Sequence, residues 1–149
     1  MSIHSYPLIT FLLLTMSMPS QARTQNTLHL DQCPNTPNCV SSGAAPSDTE
    51  HFIEPFILKA SPSKAWPYII EALQQQPRTK LTVVTNNLIK AEITSLIFRF
   101  VDDMTLLLHE KEQTIDVRSA SRVGYSDLGV NRNRVMSLRK RLQQAGIIN

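Results

Sequence analysis

RSASRVGYSDLGVNRNRV, residues Arg118 to Val135, is the stretch on which the fold of this chain turns. It begins inside an alternating run, Thr114 to Ser121, with Ile115 and Val117 facing one way and Asp116 and Arg118 the other. That period of two marks a half-buried strand. It ends at an apolar stripe with helical spacing, Val135, Leu138 and Leu142, which Gly146 closes. Between the two, Gly124, Gly129 and a dense set of serines, asparagines and arginines mark a loop. A strand that passes almost directly into an amphipathic helix predicts a helix lying back across a sheet. Asn131 is the expected N-cap of that helix, with Val130 and Val135 as a hydrophobic staple. Arg139, Lys140 and Arg141 near its far end complement the helix dipole without any ligand.

Upstream, strand-like runs follow one another. Leu81 to Thr85 is β-branched and leads to an Asn86-Asn87 turn; Leu88 to Ser95 alternates with Ile89, Ala91 and Ile93 on one face. Leu96 to Val101 continues extended, with Phe98 and Phe100 sharing a face and Arg99 opposite. Asp102-Asp103 either bends the chain before Met104 to Leu108 or lies within one long strand, and His109 to Gln113 makes the next turn. Earlier still, Ser61-Pro62-Ser63 offers a helix start, and Trp66, Ile69, Ile70 and Leu73 form one apolar stripe. Pro67 is expected in the first turn or at a kink, and Pro77 ends the run. His51 to Leu58 reads as a first strand that Pro55 confines to an edge or a bulge. The fold class is α+β. Residues 51–149 are expected to form a two-layer domain of strand, helix, an antiparallel sheet of about four strands, then helix. Both helices cover one sheet face, and Arg99, Asp116 and Arg118 occupy the other.

The first 50 of the 149 residues belong to a different kind of sequence. Tyr6 to Met18 is apolar and too short to span a bilayer, and Ser20 and Ala22 follow as in a cleavage site. Residues 1–22 therefore read as a signal peptide, although no Lys or Arg precedes the apolar core; an uncleaved anchor is the alternative. No later stretch has the length and apolarity of a transmembrane helix. Cys33 follows a polar stretch, which argues against lipid attachment. Residues 23–50, rich in Asn, Thr, Pro and Ser, read as an extended arm. Within it Cys33 and Cys39 are separated by five residues that include Pro34 and Pro37. In an exported chain this spacing favours a local disulfide over a redox pair or half of a metal site. Periplasmic or extracellular residence follows from these two features.

Charge is uneven. From Arg118 onward there are seven basic residues and one acid, a net of +6, while Arg23 to Val117 carries eight basic and eleven acidic residues. Such asymmetry marks a surface that could meet anions. Nucleic acid is excluded as a partner, because the basic residues are not interleaved with stacking aromatics.

Three stretches together resemble a known family: Cys33-Pro-Asn-Thr-Pro-Asn-Cys39-Val-Ser-Ser42, Phe98-Arg-Phe-Val-Asp-Asp103, and Arg118 to Val135. Their content and order are similar to the uncharacterised family called domain of unknown function 1499, over nearly the whole chain after residue 22. The resemblance implies export or membrane association in bacteria and plastids. It implies no established activity, cofactor or catalytic residue. Met136 departs from it, standing where an acidic residue is expected after Arg134-Val135.

Arg118 and Arg122 flank two serines, and the loop from Gly124 runs into a helix N-terminus, where backbone N–H groups favour phosphate or carboxylate. Arg118, Arg122, Ser126 and Arg132 are therefore the candidate ligands of an anionic small molecule or envelope component. The competing structural account makes Arg122 and Asp127 an internal ion pair, with the glycines serving backbone geometry. Ser119, Ser121 and Ser126 are the candidate nucleophiles of a hydrolase-like alternative, with His51 or His109 and Asp102 recruited in space, yet no G-x-S-x-G elbow is present. A structural envelope protein using the basic last helix is the third alternative. The sequence assigns no catalytic residue, no metal and no cofactor, and reads as a non-catalytic binding module.

Overall fold

The segment expected to be an extended arm supplies the first strand. β1 (Cys39–Ser41) is buried throughout and pairs antiparallel with the last strand of the sheet. β2 (Phe56–Ile57), helix α1 (Pro62–Gln74), β3 (Thr79–Val84), β4 (Leu88–Thr94), β5 (Val101–His109), β6 (Thr114–Ser121) and helix α2 (Val130–Gln144) follow. A computed structural model describes Met1, residues 28–96 and residues 99–149. Apart from Met1, the expected signal peptide over 1–22 lies outside the described residues. The sheet order is β1-β6-β5-β4-β3, with β2 also paired to β6. The α+β class holds, and the sheet has six strands rather than about four. β1 escaped the sequence because a run of three residues is too short to show alternation.

One buried cluster joins the two layers. Ile89, Ala91 and Ile93 of β4, Met104, Leu106 and Leu108 of β5, and Ile115 and Val117 of β6 meet Trp66, Ile69 and Leu73 of α1 and Val135, Leu138 and Leu142 of α2. Both helices therefore cover the same face. Truncating a fully buried leucine such as Leu138 to alanine costs about 2–5 kcal/mol, so this cluster supplies much of the stability. Because side chains alternate along a strand, Lys90, Glu92, Asp103, Thr105, Asp116 and Arg118 point to the opposite, outer face.

Local chemistry sets the element ends. Pro62 occupies the first position of α1, where no N–H is needed, and Pro67 stands past the first turn without ending the helix. The indole Nε1 of Trp66 donates to the Thr85 carbonyl at 2.8 Å, tying α1 to the end of β3. Arg141 donates to the Ala72 carbonyl at 3.1 Å, satisfying an orphan acceptor in the last turn of α1.

Two expected boundaries are corrected. The strand expected over His51 to Leu58 shrinks to β2, flanked by isolated bridges from Phe52 to Ser41 and from Leu58 to Ile148. Pro55 interrupts it, having no N–H for a ladder. The described residues of the run Leu96 to Val101 are not in a strand before Val101 opens β5: Val101 pairs back with Thr94, and Arg99 takes a left-handed φ of 57°. Phe98, expected on one face of that strand, lies outside the described residues. Of the two readings of Asp102-Asp103, the one that places it within a strand holds, because β5 runs straight through it.

The predicted disulfide joins Cys33 to Cys39 and closes a small ring ahead of β1. His51 is buried and fastens this ring to the following turn: Nε2 lies 3.1 Å from the Thr36 carbonyl, and Nδ1 lies 2.8 Å from the Asp48 carboxylate. Both ring nitrogens face acceptors, so only the imidazolium can donate to both. Burial pulls the His51 pKa down, but the Asp48 hydrogen bond, the Thr36 carbonyl and the Asp48 and Glu50 charges outweigh it, and the net direction is up. A raised folded pKa gives stability that is complete below the unfolded value, about 6.5, and that is lost as pH rises through the folded value. Urea unfolding is expected to show stability declining as pH rises from about 6 to about 8, with a flatter profile in His51→Gln. Identical profiles in the two proteins would remove His51 from the account.

Candidate functional site

The stretch between β6 and α2 is fixed by a polar cluster with Asn131 at its centre. Asn131 does not cap α2, as its position in the sequence suggested; it is fully buried in the first turn. Gly129 holds the N-cap position with a left-handed φ of 79°, a conformation that most side chains resist. Asp127 provides the capping acceptors, taking the Gly129 N–H at 2.9 Å and the Asn131 N–H at 2.7 Å. The Asn131 amide donates to Asp127, to Ser121 Oγ at 2.9 Å and to the Asn38 carbonyl at 3.1 Å. Its Oδ1 accepts from Ser119 Oγ at 2.6 Å and from Arg134 Nη1 at 2.7 Å. Arg134 in turn pairs with buried Asp102 at 2.6 Å. Asn38 completes the cluster by donating to the Gly124 carbonyl at 2.6 Å. Asn131 thus joins the arm, β6, the loop and α2, and through Arg134 it reaches β5.

The four residues read as anion ligands do not converge. Arg132 lies on α2 and donates to the carbonyls of Thr49, Glu50 and Phe52, pinning that turn. Ser126 Oγ accepts from the Leu128 N–H within its own loop. Arg122 and Arg118 are brought together on the outer face. The expected Arg122–Asp127 ion pair is replaced by pairs from Arg122 to Asp103 at 2.7 Å and to Glu92 at 2.6 Å. Hydrogen bonds to Asp103 and then Glu92 push the Arg122 pKa up still further. Neighbouring residues on a strand face opposite ways, which sends Asp102 inward to Arg134 and Asp103 outward to Arg122. They therefore form no acid–base or metal-binding pair. The other arginines of α2 are also engaged, with Arg139 on the carbonyls of Glu54 and Pro55 and over the Phe56 ring, and Arg141 on α1. Lys140 alone of the Arg139 to Arg141 run is exposed.

What remains open is a cleft of about 280 Å³ on the outer face, lined by Asp31, Thr82, Lys90, Thr105, Arg118 and Arg122. Lys90, Thr105 and Arg118 are cross-strand neighbours in one row. Among the described residues, Arg118 Nη2 makes only a long 3.4 Å contact with the Gln32 carbonyl, and its buried Nε has no acceptor. Of the four residues named from sequence, Arg118 is the one whose hydrogen-bonding capacity the described residues leave unfilled. Lys90, Thr105 and the polar cluster were missed, and strand alternation was the signal that could have found the first two.

The serines show how the chain handles potential nucleophiles. Ser119 and Ser121 belong to the Asn131 cluster, and Ser126 to its loop. His51 is taken up by Asp48 and Thr36. On the outer face His109 Nε2 lies 2.9 Å from Asp116, whose other oxygen accepts from Ser42 Oγ at 2.9 Å. Activation of a serine needs the imidazole between hydroxyl and carboxylate. Here the carboxylate is in the middle.

A family model described as "Protein of unknown function (DUF1499)" matches residues 29–142. The chain belongs to this family. No curated protein matches the sequence. Among the described residues no helix is long and apolar enough to cross a membrane.

Arg134 and Arg122 provide a contrast of buried and exposed pairs. Arg134→Met strands buried Asp102 and opens the Asn131 cluster, and is expected to cost about 3–5 kcal/mol in urea unfolding. Arg122→Ala removes a solvent-screened partner of Asp103 and Glu92 and is expected to cost clearly less. A larger loss from Arg122→Ala would place the fold's dependence on the outer face instead.

Proposed function

We propose that this DUF1499 member is an exported, non-catalytic binding domain that takes a small anionic group, a carboxylate or a phosphate, in the outer-face cleft. The observation that carries this reading is the buried Arg118 Nε, which has no acceptor among the described residues. A buried donor left unmade costs about 1–3 kcal/mol, and an oxyanion seated beside it would recover that cost through a charge-assisted bond. Lys90 adds a second cation across Thr105, whose hydroxyl can donate between them. Arg122 borders the cleft with its charge already matched by Glu92 and Asp103, so it orients more than it attracts. Ser126 and Arg132 have no part in this version of the site. Export is supported by the Cys33–Cys39 disulfide, which persists in oxidising compartments, and by the apolar stretch at residues 6–18.

Thermal unfolding in inorganic phosphate, acetate and citrate, at constant ionic strength, tests the reading. At least one anion is expected to raise Tm in a saturable way, reaching about 2.7 kcal/mol of stabilisation at one hundred times its Kd. Arg118→Met is expected to lose that response while unfolding, without anion, at or above the wild-type midpoint, since it deletes an unsatisfied donor. A destabilised Arg118→Met that still responds to anion would make Arg118 a strut for the Gln32 segment and overturn the proposal.

A further inference from the structure

Six of the eleven large apolar side chains exposed among the described residues lie at one end of the molecule. Leu96 and Phe100 come from the β4–β5 connection; Val123, Tyr125, Leu128 and Val130 come from the stretch that joins β6 to α2 and from its first helical residue. The two connections adjoin, since the Arg122 N–H donates to the Val101 carbonyl at 3.1 Å and Leu96 and Val130 line one groove of about 510 Å³. Scattered exposed apolar residues are ordinary on a soluble protein, whereas a cluster of this kind has a use.

The backbone holds these side chains out. Leu128 is 91% exposed and sits at a φ of 54°, a left-handed conformation that branched residues resist. Its loop is nevertheless fixed: the Gly124 carbonyl accepts from Asn38, Ser126 Oγ accepts from the Leu128 N–H, and Asp127 accepts from the Asn131 N–H. Tyr125, 73% exposed, carries an apolar ring with a polar tip, as suits a bilayer interface. Charge points to the same kind of partner. Arg99 stands in one connection and Arg78 borders the groove, while the single acid of the two connections, Asp127, turns both oxygens onto backbone N–H groups. An isologous contact with a second copy would set like-charged arginines against each other.

We propose that this end of the domain docks on an anionic lipid surface, with Tyr125 and Leu128 entering the headgroup region and Arg99 and Arg78 meeting lipid phosphates. The groove at this end shares no lining residue with the outer-face cleft, so the domain could hold its ligand while seated on a membrane.

The test uses full-length Leu128→Trp and Val84→Trp, the second reporting on an exposed apolar position in β3. Trp66, buried and bonded to Thr85, supplies a constant background. With vesicles of equal parts phosphatidylglycerol and phosphatidylcholine, emission from Leu128→Trp is expected to shift to the blue, with much less effect from phosphatidylcholine alone. Val84→Trp is expected not to shift. Adding Arg99→Ala to Leu128→Trp is expected to weaken partition about five-fold. No shift at position 128 overturns the proposal, as does an equal shift at 84, which would mean that the apolar stretch at residues 6–18 alone brings the chain to the vesicle. A concentration-dependent blue shift without vesicles also overturns it, in favour of self-association.

Discussion

The contact on which the rest of this structure depends is the amide of Asn131, which sits in the apolar layer with every polar atom engaged. An amide in that position is costly unless fully bonded, and its bonds come from four parts of the chain: the arm, β6, the loop and α2. The neighbouring Arg134–Asp102 pair follows the same logic. Buried ion pairs seldom outperform well-packed apolar groups of the same volume, but they tolerate only one arrangement. The apolar stripes of α2 would pack at several rotations against the sheet. The Asn131 cluster accepts one.

That constraint explains the fate of the basic C-terminal third. A net of +6 from Arg118 onward suggests a cationic surface, yet Arg132, Arg139 and Arg141 are spent on backbone carbonyls and Arg134 on a buried carboxylate. Guanidinium groups suit this use because their donors form a rigid fork that can reach several carbonyls at once. Two segments, residues 48–55 and the end of α1, each receive arginine donors from α2 on their carbonyls. The electrostatic field that survives is local, at Arg118 and Lys90 in the cleft and at Arg78 and Arg99 near the apolar end.

The sequence made the core legible and left the joints obscure. Trp66, Ile69 and Leu73, and Val135, Leu138 and Leu142, announced both helices, because helical periodicity reports burial directly. Alternation at Ile89 to Ile93 and at Ile115 to Val117 did the same for strands. Phe98, Arg99 and Phe100 alternated too, but strand pairing between Thr94 and Val101 overrode that local pattern. β1 was hidden among Pro, Asn and Ser because its burial comes from β6, some eighty residues further on. Of the candidate site, the stretch from Arg118 to Arg134 was recognisable as important. The division of its residues between cluster and surface was not, since an asparagine reads alike as a cap or as a buried junction until its partners are known. Asp127 lies four residues before Asn131, and that spacing held the clue to which of the two closes the helix.

The arm adds a kinetic dimension. Asn38 meets Asn131 across 93 residues of chain, and Cys39 pairs with Ala120. A polypeptide emerging from its N-terminus makes the disulfide ring long before either partner exists. The ring can close early, being only six residues in span, while the strand behind it waits for the last helix. Assembly of this domain is thus gated by its final thirty or so residues. A truncated chain would leave Asp102 and Asn38 without their counterparts, a polar interior open to water, and such a species is the kind that proteases remove before it accumulates.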